Sequence, residues 1–537
     1  MRGGLLVAGT SSDAGKSVLV AGICRLLARR GVKVAPFKAQ NMALNSAVTF
    51  EGAEIGRAQA AQAMAAGIEP EVAMNPVLLK PTSDRRSQVV VMGRPAAEMD
   101  ARSYHEFKPR LMPVVLGALE DLRSRFDVVV CEGAGSLAEI NLREGDLVNM
   151  GLAREAGLPV LVVGDIDRGG VFASLYGSLA LLDPADQSLV AAFVINKFRG
   201  DRDVLAPGIE RIASLTGRPV LGVLPWIRGM WLDSEDSLAL DGPGIAVRAP
   251  LGKDRITVAV IRLRWISNFT DFEALACEPG VSVRFTDSPA DVLDADLVVL
   301  PGTKATAKDL DWLRARGLDE PLRARVAAGQ PLLGICGGYQ ILGRRVVDEV
   351  EGRVGEVEGL GLLPVETVFG ADKVLARPSG TALFFGGAAV SGYEIRHGRP
   401  RRIGGEPVFE TPQGEEGCRV GAVVGTSWHG VLECDEFRRA LLGWVAGVRG
   451  LDWVPGSERF ADLRERRFDA LADLMENHLD CEELERLIDA GPPAGLPILA
   501  PAGSPLLAPA GVPSVLSAGV PSGLPVGCPL PPPGGSR

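Results

Sequence analysis

Histidine is scarce in this chain: 537 residues carry four, His105, His397, His429 and His478. A reaction that needs an imidazole base has to find it among those positions. Long apolar runs are missing as well, and no unbroken stretch is long enough to cross a bilayer, so a membrane partner is not expected. Cysteine occurs eight times, at 24, 131, 277, 336, 418, 434, 481 and 528, without pairing or metal-like spacing. That scatter excludes a disulfide framework and points to a reducing cytosol, hence a cytoplasmic protein. The opening Met1-Arg-Gly-Gly-Leu-Leu-Val-Ala-Gly9 reads as a first strand, since a signal peptide needs a longer apolar stretch and a cleavage site. A net charge of −10 argues against a nucleic-acid partner held by bulk electrostatics.

What is present is enough apolar sequence for more than one core, and 537 residues are too many for a single domain. Strand-like runs alternate with helical patterns and end in polar residues, which predicts α/β architecture with doubly wound, mostly parallel sheets. A first domain spans residues 1–235 and a polar linker 236–255. A second domain spans 256–448, followed by charged helical segments over 449–490. From 491 to 537 proline, alanine and glycine dominate with almost no charge, and a flexible tail is expected.

In the second domain, Pro331-Leu-Leu-Gly-Ile-Cys336-Gly-Gly-Tyr-Gln340 is an apolar run that stops at a cysteine followed by two glycines. A strand that turns sharply into a helix holds the turn residue away from the backbone, and a helix amino terminus favours the thiolate. Cys336 is therefore a candidate nucleophile. His478 lies in a charged helical segment and His105 far upstream among polar residues. His429 closes Ala422-Val-Val-Gly-Thr-Ser-Trp-His429-Gly430, a strand entering a glycine turn, and is favoured over His397 as the base.

The first domain opens with Gly4-Leu-Leu-Val-Ala-Gly9-Thr10-Ser-Ser-Asp13-Ala-Gly15-Lys16-Ser17, a strand, a glycine-bounded loop and a helix with one apolar face. Loop amides from Gly9, Thr10, Asp13 and Gly15 would face phosphates, Lys16 would add charge, and the Ser17 hydroxyl could reach Mg²⁺. ATP and Mg²⁺ are thus the expected cofactors. Arg125-Phe-Asp-Val-Val-Val-Cys-Glu132 is a second strand ending in an acid, placed to hold Mg²⁺ or orient a metal-bound water. Leu158–Asp165 and Ala191–Asn196 repeat the design.

Leu333-Gly-Ile-Cys336-Gly-Gly with the later Thr-Ser-Trp-His429-Gly resembles the triad-type glutamine amidotransferases. The resemblance implies that Cys336 takes the glutamyl group and releases ammonia, with Gly302 and Gly337 forming the oxyanion hole. Those enzymes commonly carry a glutamate two residues after the histidine; here position 431 is valine, so the third member is absent or replaced, and Glu433 is only a weak substitute. The phosphate loop, with five residues between Gly9 and Gly15, is similar to that of dethiobiotin synthetase and its relatives, and implies an adenine contact for Asn196.

Three more stretches extend the likeness: Ala35-Pro-Phe-Lys-Ala-Gln40-Asn41-Met-Ala-Leu-Asn45, Glu54-Ile-Gly-Arg57-Ala-Gln-Ala-Ala-Gln62 and Met74-Asn-Pro-Val-Leu-Leu-Lys80. With Glu132-Gly-Ala-Gly-Ser-Leu137-Ala-Glu-Ile-Asn-Leu-Arg143 they resemble the cobyric acid synthase family over about residues 5 to 485, Leu137 standing where that family more often has proline. The resemblance implies glutamine-dependent amidation of the b, d, e and g carboxylates of a corrinoid, adenosylcobyrinic acid a,c-diamide. Gln40, Asn41, Asn45, Arg57 and Lys80 suit recognition of a ligand rich in carboxylates and amides. The competing readings are the related a,c-diamide synthase and a regulatory P-loop ATPase fused to an inactive glutaminase-like module. No oligomeric state follows from the sequence.

Overall fold

Runs of Val, Ile and Leu with no polar alternation make strands that are buried on both faces, the signature of a parallel sheet covered by helices. The computed structural model describes residues 1–83, 85–227 and 247–499. Part of the expected linker and all but the first residues of the expected tail lie outside the described residues.

The first sheet has six strands, in the order Val220–Pro225, Val190–Phe198, Val160–Asp165, Gly3–Gly9, Val128–Glu132 and Val34–Phe37. Every pairing is parallel. Gly9 lies opposite Val163, and Val7 opposite Glu132, so the phosphate loop and Glu132 leave the same edge of the sheet. This is the edge at which doubly wound sheets bind ligands.

The second sheet repeats the plan with Val281–Thr286, Ile256–Ile261, Leu297–Leu300, Leu332–Ile335 and Val423–Thr426, closed by the antiparallel Cys418–Val420. Ile335 is in register with Thr426, which carries Cys336 and His429 off the ends of adjacent strands. Both sheets are mostly parallel α/β layers, as the alternation of strand and helix patterns predicts.

Two smaller layers occupy the seam between these bodies. Gln40–Met42, Val77–Ser83, Arg86–Val91 and Arg94–Asp100 form a side sheet on the first. A hairpin of Ser46–Val48 and Glu54–Gly56 projects toward the long strands Val365–Ala376 and Glu394–Arg402 of the second.

The chain then returns. The helix Phe460–His478 lies along Lys16–Arg29, where Met475 fills the space above Gly22, and Arg25, Arg29 and Arg30 pair with Glu465, Asp469, Asp473, Glu476 and Glu485. The C-terminal helices are thus part of the first body. Leu499, the last described residue, is also anchored: its amide donates to Gln187 Oε1 (2.7 Å).

Candidate active site

At the end of Leu332–Ile335, Cys336 adopts φ 50°, ψ −110°, a strained conformation for a residue with a side chain. The helix Gly337–Leu342 starts immediately after it. The paired glycines follow from crowding. A Cβ on Gly338 would stand 2.1 Å from the Leu300 carbonyl oxygen, and one on Gly337 2.6 Å from Thr303 Cγ2. The loop Leu300–Lys304 therefore packs directly against the turn that presents the thiol.

His429 and Cys336 line one cavity, together with Gly337, Gln340, Lys373 and Lys80. His429 Nδ1 lies 2.7 Å from Asp271 Oδ2, and the second carboxylate oxygen of Asp271 accepts from the Gly430 amide at 2.9 Å. The Tyr393 ring stacks on the imidazole with centroids 5.4 Å apart. Burial alone would depress the imidazole pKa, but the carboxylate of Asp271 and the sulfur of Cys336 outweigh it and raise the value to about 10. Asp271 and the neighbouring sulfur thus favour the protonated form of the His429 imidazole. Gly302 leaves room for this ring, since a Cβ there would sit 2.6 Å from His429 Cε1.

The open question of a third member has a geometric answer. Asp271 comes from the short turn Phe269–Phe272, entered through Asn268 in the left-handed region (φ 53°), and is separated from His429 by 158 positions. Glu433 is engaged elsewhere, with Arg57 at 2.7 Å and Arg464 at 2.7 Å. His397 also lines the cavity, yet its Nδ1 is 3.1 Å from the Gly370 carbonyl oxygen and its Nε2 4.0 Å from Glu351. Burial pulls its pKa down.

In the first body, Lys16 folds over its own loop and donates to the carbonyls of Ser11 (3.0 Å) and Gly135 (3.1 Å). The Thr10 amide donates back to Val163, fixing the start of the loop. Asp13, at φ 57°, faces Arg168 at 3.4 Å. Ser17 Oγ donates to Glu132 Oε1 at 2.8 Å, and Lys38 Nζ donates to the same oxygen at 3.0 Å. Gln62 donates to the other oxygen. Burial works against ionisation of Glu132, but Lys38 and these donors prevail and lower its pKa.

The resident donors fit a nucleotide with Mg²⁺. Among the described residues no cluster of three or more His, Cys, Asp or Glu side chains gathers to hold a metal alone. Mg²⁺ does not need one, because it is usually held by one or two side chains plus phosphate oxygens and water. Asn196 stands against the phosphate loop. Its Nδ2 donates to the Ala14 carbonyl (2.9 Å), its Oδ1 accepts from the Lys197 amide (2.8 Å), and it sits where a Cβ on Gly15 would be. Gly15 itself is at φ 102°, so glycine is required there twice over.

The five residues matched to a polyanionic ligand do not share one surface. Gln40 is half-buried and accepts from the Tyr104 hydroxyl. Asn41 is wholly buried and donates to Gln59 Oε1 (2.8 Å). Asn45 Oδ1 accepts from the Phe269 amide of the second body (3.2 Å), Arg57 reaches Glu433, and Lys80 donates to Ser46 and Glu54 while lining the Cys336 cavity. Sequence reasoning passed over Lys38, which a strand-end rule could have found: it follows Val34–Phe37, the neighbour of the Glu132 strand. Asp271 has no local motif to reveal it.

A phosphate-loop domain whose sheet edge carries a Ser–Glu–Lys cluster, joined to a strained cysteine with a His–Asp pair, defines a glutamine-hydrolysing ligase. Residues 5–236 match the CobQ/CobB/MinD/ParA nucleotide binding domain, and residues 257–437 the CobB/CobQ-like glutamine amidotransferase domain. Cobyric acid synthase of Frankia casuarinae is 60% identical over 519 residues, covering 93% of this chain and 99% of the relative. Those of Streptomyces avermitilis (59% over 505 residues) and Nocardia farcinica (57% over 519) are matched with the same two coverages, 93% and 99%. The chain belongs to the cobyric acid synthase family. Among its described residues no helix is long and apolar enough to cross a membrane.

Proposed function

We infer that this chain makes adenosylcobyric acid by amidating the b, d, e and g carboxylates of adenosylcobyrinic acid a,c-diamide, with ATP as activator and glutamine as nitrogen source. The observation that carries the two-site reading is the cavity itself. Cys336 and His429 of the second body share it with Lys80 of the first, so the glutaminase pocket is completed by the nucleotide-binding half.

The Cys336 thiolate attacks the side-chain carboxamide carbon of glutamine, and the oxyanion forms against the amides of Gly302 and Gly337. Oxyanion donors of this kind contribute about 3–4 kcal/mol to barrier lowering. His429, oriented through Nδ1 by Asp271, gives its proton to the departing nitrogen, and ammonia leaves. Water then cleaves the thioester to glutamate, with His429 as base.

A carboxylate does not react with ammonia unaided, because oxide is a poor leaving group. In the first body, ATP transfers its γ-phosphoryl group to a corrinoid carboxylate, and ammonia displaces phosphate from the acyl phosphate. Gly9, Thr10, Asp13, Gly15 and Lys16 cradle the phosphates, and Asn196 braces the loop at Gly15. Ser17 and Glu132 would hold Mg²⁺, which supplies charge neutralisation to the phosphoryl group being transferred. Lys38 keeps Glu132 ionised. Of the five candidate ligand residues, Gln40 would meet the corrinoid, while Asn45 and Arg57 bond residues of the second half and Lys80 lines the Cys336 cavity. Residues 1–235 and 256–448 are the functional units. Among the described residues all seven cysteines are free, which supports work in the cytoplasm.

The test is mass spectrometry of adenosylcobyrinic acid a,c-diamide incubated with the protein, Mg-ATP and amide-¹⁵N glutamine. Four labelled amides are expected. ATP hydrolysis with an unchanged corrinoid would overturn the assignment.

A further inference from the structure

The Cys336 cavity is small and its charge is lopsided. It encloses about 30 Å³, room for a water molecule or two but not for an amino acid. Lys80, Lys304, Lys373 and Arg396 line it, and among the described lining residues Glu351 is the only carboxylate. Lys80 and Lys373 are committed to the two oxygens of Glu54, and Arg396 to Glu394. Lys304 and Glu351 pair with each other. Both also line two outer spaces, of about 220 and 230 Å³, whose other walls carry Thr82, Glu98 and the exposed Arg353. This ion pair is thus the partition between the cysteine and the seam of the two bodies.

Backbone contacts hold each partner in place. Lys304 ends the loop that carries Gly302, and its amide donates to the Trp265 carbonyl (3.0 Å). Glu351 stands at the tip of the hairpin of Arg345–Asp348 and Gly355–Glu358, where Asp348 accepts from the amides of Val350 (3.0 Å), Glu351 (2.8 Å) and Gly352 (2.7 Å). A third group faces the same spot. His397, only 5% exposed, gives its Nδ1 proton to the Gly370 carbonyl, which leaves Nε2 as an acceptor in the neutral ring that burial favours. That nitrogen lies 4.0 Å from Glu351 Oε1 and is buried without a hydrogen-bond partner. Buried acceptors are ordinarily paired, so an open one beside a carboxylate calls for a donor from outside the protein.

We propose that Lys304 and Glu351 recognise the amino-acid end of glutamine: Glu351, with His397 Nε2, accepts from the α-ammonium, and Lys304 donates to the α-carboxylate. The inference rests on the glutamine hydrolysis assigned above. In the structure the Lys304 ammonium occupies the place of the substrate's ammonium, bonded to the acid that would receive it. A zwitterion replaces this pair without leaving either buried charge alone, since it brings an anion for the lysine and a cation for the acid. An amide with only one of those charges breaks the pair and strands a partner, which costs affinity. The partition therefore opens to a free amino acid in preference to simple amides, and the Cys336 cavity gains the room it lacks when closed.

The experiment measures kcat/KM for ammonia release, with Mg-ATP and the corrinoid present, from L-glutamine, from glutaramate, which lacks the α-amino group, and from γ-aminobutyramide, which lacks the α-carboxylate. The unaltered protein is expected to prefer glutamine to either analogue by at least about 10²-fold. Glu351→Gln is expected to cut the preference over glutaramate to within about threefold and to keep the preference over γ-aminobutyramide, and Lys304→Met to do the reverse. Losses of equal size on all three substrates, so that both preferences survive, would overturn the proposal and mark the pair as a structural tie. So would an unaltered protein that hydrolyses glutaramate as well as it does glutamine. If the unaltered protein releases no ammonia even from glutamine, the glutaminase assignment is overturned and this inference with it.

Discussion

The two halves reach their chemistry by different routes. In the phosphate-loop body the working groups are close in sequence or lie at the ends of neighbouring parallel strands: Lys16 and Ser17 follow the loop, and Glu132 ends the strand beside Gly3–Gly9. In the glutaminase body the array is assembled from afar, with Cys336 at one strand end, His429 near another and Asp271 on a turn 158 positions from His429. A local loop can bind phosphate with backbone amides, whereas a proton-transfer array needs side chains from several elements held at fixed distances. Tertiary packing is thus a precondition for the second site and much less so for the first.

Breaking one half without the other gives the largest effects. Lys16→Ala is expected to lower amidation by about 10²–10³-fold with either glutamine or ammonia, because it removes a phosphate-directed charge. Glutamine hydrolysis in the same variant should change by less than about tenfold, as Lys16 does not line the Cys336 cavity. Equal loss of both activities would contradict the division of labour.

Asp271→Asn should reduce glutamine hydrolysis by about 10²-fold, within the range of general acid–base contributions, and leave ammonia-supported amidation intact. The sign of the pH effect is fixed by the raised imidazole pKa. With Asp271 present, the His429 proton contributes stability that is complete below pH 6.5 and is lost as the pH rises to about 10. Without Asp271, burial dominates and the pKa falls, so the thermal-stability gap between the two proteins should narrow from pH 7 to pH 10. A constant gap would show that Asp271 does not hold the imidazolium.

Glu433→Gln separates the two carboxylates near His429. Its partners Arg57 and Arg464 lie in the first body, so the variant should lose about 1–3 kcal/mol of stability, seen as a lower unfolding temperature, while glutamine hydrolysis stays within about threefold. Burial opposes its ionisation, but Arg464 and Arg57 lower its pKa to about 2, so this contribution is complete above pH 4.5 and disappears as the pH falls toward 2. A larger loss of glutaminase activity than of stability would restore Glu433 to the catalytic array. The smallest effect is expected for His397→Asn, a few-fold rise in KM for glutamine with kcat unchanged, because His397 lines the cavity and bonds Gly370 instead of Cys336.

How far the sequence could be read follows from the same contrast. The phosphate loop and the cysteine elbow were legible because each is one continuous stretch whose glycines answer to local crowding, as Gly15 and Gly338 do. His429 was legible because only four histidines were available and one closed a strand. Asp271 was not, because Asn268-Phe-Thr-Asp271 is ordinary turn sequence until Gly430 and His429 pack against it. The stretch around Gln40, Asn41, Asn45, Arg57 and Lys80 could be recognised as distinctive from sequence, but not assigned, since polar residues look alike whether they meet a ligand or another domain. Only burial and partners show that Asn45 and Arg57 bridge the two bodies.

The most direct test of the account is Cys336→Ala assayed side by side with glutamine and with ammonia. Loss of glutamine-dependent corrinoid amidation with ammonia-dependent amidation kept near its original rate is the predicted result. Loss of both, with the fold intact by thermal unfolding, would contradict a chain in which one site releases ammonia and the other consumes it.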